Sequence, residues 1–234
     1  MGKLASCQVW KASVRDREHI PVGQGLLPYH ELVASDLVEN SPRGARVLDV
    51  GHGNGDVLRA IRSARVDLEL TGIDGNPDGL DESDPGLRLL VGDFDRLSSD
   101  DLPANDVMVC LHVLEHLESP LRFARVLAER MRADNGHAYI GVPNLCSAIP
   151  VLNAVARRES ANPGHLYGWD LPHYKLFLEA AGLRPTRWLH DSVQFVPGRM
   201  RERVPGLVRR SQQSLTAVLP HMSETLIAVV SPVD

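Results

Sequence analysis

The sequence has little of what marks secreted, disulfide-bonded or membrane proteins. Its three cysteines are odd in number and widely spaced, which argues against a disulfide framework. No uninterrupted apolar run approaches the roughly 18 residues that a membrane span needs, and the N-terminus lacks the apolar core of a secretory signal. We therefore expect a cytoplasmic protein with no membrane partner.

The sequence also lacks a large excess of charge of either sign. The formal net charge is −5, with 43% hydrophobic and 24% charged residues, which is ordinary for a globular protein. This balance argues against a nucleic-acid partner. A length of 234 residues is enough for one well-cored domain and leaves little room for another, so we expect a single domain over residues 1–234. The sequence does not decide between a monomer and a homodimer.

Short apolar runs alternate with helical patterns from Arg46 onward. The predicted strands, in chain order, are ARVLDV, LELTGID, LRLLVGD, DVMVCLHV, GHAYIGVPN, RPTRWLH and ETLIAVVS. Because the first five are apolar throughout and alternate with helical segments, they predict a parallel sheet that is covered on both faces. The fold class is therefore α/β, with a doubly wound, seven-stranded, mostly parallel sheet of the Rossmann-like type.

Two segments flank the predicted core over residues 44–190. Residues 1–40 contain a helical pattern from about Tyr29 and are expected to form an N-terminal lid. Residues 192–222 form an unusually long insertion before the last strand. The insertion carries five arginines that either contact an anionic substrate or form a solvated face: Arg199, Arg201, Arg203, Arg209 and Arg210.

A glycine-rich stretch, VLDVGHGNGD at residues 47–56, follows directly on the first strand. Such a loop holds either a dinucleotide or S-adenosylmethionine (SAM), because it brings the chain close to a ligand without side-chain obstruction. A dinucleotide fingerprint needs a third glycine three positions after the second, where this chain has Asp56. The observed G-x-G-x-G spacing favours SAM over a nicotinamide cofactor.

Five ordered segments resemble the motifs of the class I SAM-dependent methyltransferases. They are VLDVGHGNGD, the GID that ends at Asp74, VGDFD, NDVMVCLHVLEHLESP and GHAYIGVPN. The stretch PGHLYGWDLPHYKLFLEAAGLRP is similar to a downstream segment of quinone and small-molecule methyltransferases. The resemblance covers about residues 44–190 and implies the class I methyltransferase fold with SAM as cofactor.

The resemblance and the strand order together indicate which residues hold SAM. Asp74 ends the second strand, where a carboxylate can accept hydrogen bonds from the ribose hydroxyls. Asp49 is expected to order the glycine loop or to receive the methionine ammonium. The resemblance implies that Asp93 contacts the adenine amino group and that Phe94 borders the ring. The complete expected set is Asp49, Gly51, Gly53, Gly55, Asp74, Asp93, Phe94, Leu111 and His112.

Methyl transfer is an in-line displacement that needs alignment of the reactants and, for a hydroxyl acceptor, removal of a proton. His116 is a candidate general base because of the pKa of imidazole, although the same residue also fits a structural role. His165 is the second candidate. Aromatic and imidazole groups concentrated in residues 144–174 are expected to face the acceptor or to form a satellite core: Asn144, Tyr167, Trp169, His173 and Tyr174.

A metal site is the remaining chemical alternative. His112, His116, His165 and His173 are conceivable ligands, but no paired cysteines or H-E-x-x-H spacing support them. We therefore expect no metal.

The leading hypothesis is methylation of a small-molecule acceptor, at a hydroxyl oxygen by family analogy. Methylation at nitrogen or carbon, or a non-catalytic SAM-binding protein similar to the MetW-like proteins, is the alternative. The sequence does not identify the acceptor.

Overall fold

The structure is a computed structural model that describes residues 26–76, 86–158, 162, 164–193 and 215–233. Its helices of eight or more residues are α1 Pro28–Asn40, α2 Asp56–Ala64, α3 Pro120–Asp134, α4 Ala148–Val155 and α5 Leu171–Ala180. Its strands are β1 Arg46–Val50, β2 Glu69–Asp74, β3 Leu87–Val91, β4 Val107–Leu111, β5 His137–Pro143, β6 Leu183–His190 and β7 Thr225–Pro232.

The seven strands form one sheet in the order β3-β2-β1-β4-β5-β7-β6. The first five strands run parallel, and β7 is antiparallel to both of its neighbours. The predicted α/β fold with a mostly parallel sheet is therefore confirmed. The strand order reverses between β1 and β4, which creates a crevice at the carboxyl ends of these two strands, where open α/β sheets bind ligands.

Apolar side chains cover the sheet on both faces. One cluster includes Phe123, Leu127 and Met131 of α3, which are fully buried. The cluster on the other side includes Leu37 of α1 and Leu58 of α2. These three helices show why apolar spacing in a sequence predicts helix: one side of each is buried against the sheet and the other is exposed.

The N-terminal helix α1 is fixed to the sheet by polar contacts as well as by apolar packing. Asp36 accepts a hydrogen bond of 2.7 Å from the Tyr139 hydroxyl, in the buried centre of β5. The same carboxylate receives two hydrogen bonds from the Arg187 guanidinium of β6. These bonds outweigh the effect of burial and lower the pKa of Asp36. The helix is thereby held over the β1–β4 crevice.

Some segments differ from the sequence-based expectations, and others lie outside the described residues. Helix α4 was not among the predicted elements. At the start of α3 the Ser119 side chain makes no cap, and Asp95 accepts the backbone N–H of Ser119 at 3.1 Å. Residues 1–25 of the predicted lid and residues 194–214 of the predicted insertion lie outside the described residues. The latter range contains all five arginines singled out above: Arg199, Arg201, Arg203, Arg209 and Arg210.

No helix in the described ranges has the length and apolar character that crossing a bilayer requires.

Candidate functional site

The glycine loop, residues 51–55, leaves β1 at the crevice in a backbone conformation that side chains disfavour. The φ angles of Gly51, Gly53 and Gly55 are 77°, 52° and 74°, in the left-handed region that glycine enters at little cost. A methyl group added to Gly51 would collide with Val113, whereas one added to Gly53 would meet no atom within 4 Å. Gly51 is thus required by packing, while Gly53 borders open space.

Asp74 connects the end of β2 to this loop. Its Oδ2 accepts a hydrogen bond of 2.9 Å from the Gly53 backbone N–H, and its Oδ1 accepts one of 2.8 Å from Asn76 N–H. A carboxylate has about four lone-pair positions, so both oxygens keep capacity for further donors. The carboxylate therefore orders the loop and remains able to accept hydrogen bonds from two vicinal hydroxyl groups.

Asp49 lies beneath the loop and is only 3% exposed. Burial, together with the nearby charge of Asp74, raises the pKa of Asp49 to about 7. A carboxyl group in this state is poised to ionise when a cation arrives. The position can therefore respond to a cationic ligand in the crevice.

The two residues after β3 differ in their accessibility. The Asp93 carboxylate is exposed and forms an ion pair of 3.1 Å with Arg96. Phe94 is 6% exposed, and its ring lies 5.1 Å from that of Phe123 in the core. The Asp93 carboxylate is accessible to solvent, while most of the Phe94 ring packs in the core; the contact of Asp93 with adenine stays a prediction.

The end of β4 brings a histidine to the other side of the crevice. Leu111 is buried, and His112 follows with a φ of 55°, so no helix begins there. The ring of Tyr29 stacks on the His112 ring with centroids 4.4 Å apart. His112 Nε2 lies 3.1 Å from Thr225 Oγ1, and its Nδ1 lies 3.3 Å from Glu115 Oε1. The imidazole is held from three sides, and a quarter of its side chain stays exposed.

Glu115 is a fully buried carboxylate. Neither of its oxygens has a hydrogen bond of acceptable geometry, although His112 Nδ1 and His116 Nε2 approach Oε1 to 3.3 and 3.8 Å. Burial opposes ionisation, but the two imidazoles outweigh it and lower the pKa of Glu115. The backbone carbonyl of Glu115 accepts a hydrogen bond of 2.7 Å from Leu166 N–H, which ties the 164–169 loop to the end of β4.

The two histidines proposed from the sequence as bases lie together beside Glu115. Their ring centroids are 4.7 Å apart. His116 Nδ1 lies 3.0 Å from the Gly164 carbonyl oxygen, to which it can only donate, and His165 Nε2 lies 3.1 Å from the Asn162 amide nitrogen. Although four residues separate His112 from His116, the two do not share a helix face, because residues 114–116 form a single 3₁₀ turn. The rings of His112 and His116 instead lie on either side of the Glu115 carboxylate.

The expected acceptor-facing residues divide into buried and exposed groups. Asn144 is 3% exposed, and its amide nitrogen donates to the carbonyls of His221 and Ser223. Trp169 and Tyr174 are buried in the core, where the Tyr174 hydroxyl donates to the Ile140 carbonyl at 3.0 Å. Their described contacts are structural.

Two of the expected acceptor-facing residues are exposed. Tyr167 is 43% exposed, and its hydroxyl donates to the Glu118 carbonyl at 3.1 Å. His173 lies on the surface, with its Nδ1 2.7 Å from Asp170 at the start of α5. Of this group, Tyr167 lies on the loop tied to the end of β4.

Further polar groups meet His112 at the crevice, and the sequence analysis did not identify them. His30 stacks edge-on against Tyr29, and its buried Nδ1 has no hydrogen bond; burial lowers the pKa of His30 to about 4. Asp191, after β6, accepts a hydrogen bond of 3.3 Å from Thr225 N–H, and burial raises its pKa. His30 and Asp191 are far apart in sequence, so no local pattern connects them with His112. The one local signal near them is the H-x-x-E-H spacing of residues 112–116.

Known proteins resemble this chain in sequence and in fold. The sequence profile of a methyltransferase domain family matches residues 28–187. The ubiquinone biosynthesis O-methyltransferase of Xanthomonas axonopodis pv. citri is 29% identical over 158 residues, which are 64% of this chain and 63% of that protein. This chain therefore matches less than two thirds of the length of that relative.

Solved structures share the fold at low sequence identity. A TehB-like SAM-dependent methyltransferase from Corynebacterium glutamicum superposes with a TM-score of 0.53 at 20% identity, over 97% of this chain and 99% of that chain. An O-methyltransferase of neocarzinostatin biosynthesis, solved with SAM and 2-hydroxy-5-methyl naphthoic acid, gives a TM-score of 0.53 at 17% identity, over 88% of this chain and 57% of that chain. With the profile match, these findings place the chain in the methyltransferase domain family, among the class I SAM-dependent methyltransferases, whose cofactor is S-adenosylmethionine.

Proposed function

We propose that this protein transfers the methyl group of SAM to a hydroxyl oxygen of a small molecule. One observation carries the proposal: the glycine loop and the Asp74 carboxylate meet at the β1–β4 crevice, with open space beside Gly53. A loop without side chains accommodates a ligand in van der Waals contact, and the carboxylate suits vicinal ribose hydroxyls. The residues present therefore fit SAM.

Each part of the site has an expected role toward the cofactor. Asp74 would accept the ribose hydroxyls, and Asp93 the adenine amino group. Asp49 would balance the positive methionine ammonium, since its pKa of about 7 allows it to ionise readily. Bound SAM supplies an electrophilic methyl group on its sulfonium. Gly51 and Gly55 shape the loop, while Leu111 and His112 border the methionine end.

The proposed reaction forms one bond and breaks another. The acceptor oxygen bonds to the methyl carbon while the carbon–sulfur bond breaks, and its electron pair goes to sulfur. The proton of the hydroxyl passes to a general base. Holding the reactants in line and away from water supplies much of the rate enhancement in such a displacement.

Among three neighbouring imidazoles, His112 is the base that the geometry favours. It lies directly at the switch between β1 and β4, and the buried Glu115 lies 3.3 Å from its Nδ1. A carboxylate there favours a proton on Nδ1, as in other carboxylate-oriented imidazoles, so the lone pair of the neutral ring lies on Nε2. Thr225 Oγ1 lies 3.1 Å from this nitrogen and would give way to the acceptor hydroxyl. His116 and His165, which the sequence suggested as bases, would then serve as positioning residues behind Glu115. Oxygen is favoured over nitrogen because the related Xanthomonas protein is named an O-methyltransferase.

Methyl transfer is tested with purified full-length protein, SAM carrying a labelled methyl group and a panel of small phenols and catechols. We expect labelled methyl ethers from at least one phenol. The Asp74→Ala variant should lose this transfer, and His112→Gln should lower kcat by about 10²–10⁴, the usual contribution of a general base, with little change in SAM affinity.

Two outcomes of the transfer experiment would contradict the proposal in different ways. SAM binding without transfer to the panel or to any small molecule in a cell extract would contradict the proposal and favour a non-catalytic, MetW-like SAM-binding protein. Labelled N-methyl or C-methyl products alone would contradict the assignment to oxygen.

A further inference from the structure

Three side chains with metal-ligating atoms converge just behind the crevice. Glu115, His116 and His165 each offer one such atom, and these atoms all lie within 4.8 Å of one another. Glu115 and His116 come from the 3₁₀ turn after β4, and His165 comes from the 164–169 loop. The hydrogen bond of 2.7 Å from Leu166 N–H to the Glu115 carbonyl joins the two segments.

The Glu115 carboxylate is the first reason to infer a ligand at this cluster. It is fully buried, and neither oxygen has a hydrogen bond of acceptable geometry. A buried carboxylate without hydrogen bonds is costly unless a positive group compensates for it. The groups that approach Glu115 Oε1 are His112 Nδ1 at 3.3 Å and His116 Nε2 at 3.8 Å.

The orientation of His116 is the second reason. Its Nδ1 lies 3.0 Å from the Gly164 carbonyl oxygen, which can only accept, so Nδ1 carries the proton. In the neutral ring, the lone pair then lies on Nε2, the nitrogen that faces Glu115. Metal-ligating histidines are typically held in this way, with the distal nitrogen donating to a carbonyl or carboxylate.

We propose that Glu115, His116 and His165 bind a divalent first-row transition-metal cation of the Zn²⁺ or Mn²⁺ class. Two imidazoles and one carboxylate suit such cations better than Mg²⁺, which prefers oxygen ligands. Ligand atoms that share a cation at about 2.0–2.2 Å are roughly 3–4 Å apart, and the 3.8 Å between Glu115 Oε1 and His116 Nε2 lies in this range. The proposal departs from the expectation of no metal drawn from the sequence.

Three protein ligands leave a coordination position for a further group. A zinc-bound oxygen loses its proton near neutral pH, because the cation stabilises the negative charge. If the methyl transfer proposed above takes place, the open position would hold the acceptor hydroxyl and help it to ionise. This role depends on the proposed function, whereas the binding of the cation does not.

The site is tested by calorimetric titration of Zn²⁺, Mn²⁺ and Mg²⁺ into full-length protein from which metals have been removed with EDTA. We expect one Zn²⁺ or Mn²⁺ per chain, and weaker binding of Mg²⁺. His165→Ala should weaken Zn²⁺ and Mn²⁺ binding at least tenfold, because loss of even an outer contact costs about 10–100-fold in affinity. Glu115→Gln should weaken it similarly.

His173→Ala is the matched control, because His173 is 75% exposed and pairs with Asp170 on α5, outside the cluster. This variant should keep the wild-type affinity for Zn²⁺ and Mn²⁺. Absence of Zn²⁺ and Mn²⁺ binding to the wild type, or equal binding by wild type and His165→Ala, would overturn the proposal. The second result would show that the cations bind elsewhere on the surface.

SAM titration of the same preparations separates this proposal from the proposed function. Cation binding that is lost in His165→Ala supports the metal site whether or not SAM binds. Retained SAM binding by His165→Ala would show that the variant is folded, so that its loss of cation binding counts as the loss of a ligand.

Discussion

Asp74 is the single residue on which the proposed cofactor site depends most, since one carboxylate both orders the glycine loop and faces the crevice. Replacing it removes the acceptors of the Gly53 and Asn76 backbone N–H groups, together with the proposed ribose contact. Asp74→Ala should weaken SAM binding by about 1–3 kcal/mol, which is the cost of leaving the ribose hydroxyls without their acceptor in the bound state. Isothermal titration calorimetry measures this change.

The matched control for Asp74 is Asp100→Ala, which removes an exposed carboxylate outside the crevice. It should bind SAM like the wild type. Unchanged SAM affinity in Asp74→Ala would show that this carboxylate does not hold the ribose.

Asp49 makes SAM binding depend on pH. Its pKa of about 7 lies above the ordinary value of an aspartate, so the folded protein without ligand prefers the protonated form. A cationic ligand favours the carboxylate, and therefore SAM affinity should rise with pH up to about 7 and then level off. The slope below pH 7 should approach, but not exceed, tenfold per pH unit.

The same group affects folding stability with the opposite sign. Because its pKa is raised by folding, the contribution of Asp49 to the free energy of unfolding is largest below the unfolded pKa and is lost as pH rises to about 7. Urea unfolding between pH 5 and pH 7 should show this loss of stability in wild type and not in Asp49→Asn. Because SAM favours the carboxylate, calorimetry of SAM binding below pH 7 should also show proton release in wild type and none in Asp49→Asn. An equal pH dependence in both proteins would assign the effect to another group.

At the scale of elements, the glycine loop must pack against Val113 at Gly51 and leave space for a ligand at Gly53, and one variant at each position separates these two requirements. Gly51→Ala should destabilise the fold, because its methyl group collides with Val113 and its φ of 77° is strained for alanine. Gly53→Val meets no protein atom, so it should destabilise the fold less than Gly51→Ala, although its φ of 52° is also strained for valine. It should abolish SAM binding by filling the open space beside the loop. Urea unfolding and SAM titration of both variants test this difference. SAM binding by Gly53→Val would contradict the assignment of the loop.

At the scale of the whole molecule, a ligand that binds only the folded state raises the melting temperature. S-adenosylhomocysteine at 100 times its Kd should stabilise the protein by about 2.7 kcal/mol, which corresponds to roughly 5–11 °C in a protein of this size. NAD⁺ at the same concentration should not shift Tm, because the third glycine of a dinucleotide fingerprint is replaced by Asp56. Differential scanning fluorimetry with both ligands compares these outcomes, and a shift with NAD⁺ alone would reverse the cofactor assignment.

The sequence by itself determined the sheet and the position of the glycine loop. Buried parallel strands are apolar throughout, and glycine spacing is a local property, so β1 to β5 and the contrast with dinucleotide loops can be read along the chain. The placement of Asp49 within the first strand and of Asp74 at the end of the second followed from the predicted strands, and the resemblance indicated their roles. Whether they bind SAM remains a prediction that the experiments above address.

Only the tertiary structure decided what surrounds the end of β4. Tyr29 and Thr225 contact the His112 ring from opposite ends of the chain. Glu115 is fully buried, and its backbone carbonyl is bonded to Leu166 of the 164–169 loop, about 50 residues further along the chain. Trp169 and Tyr174 looked equally suited to a substrate or a core by sequence, and packing assigned their described contacts to the core. Such roles depend on contacts between residues far apart in sequence, which local pattern does not encode.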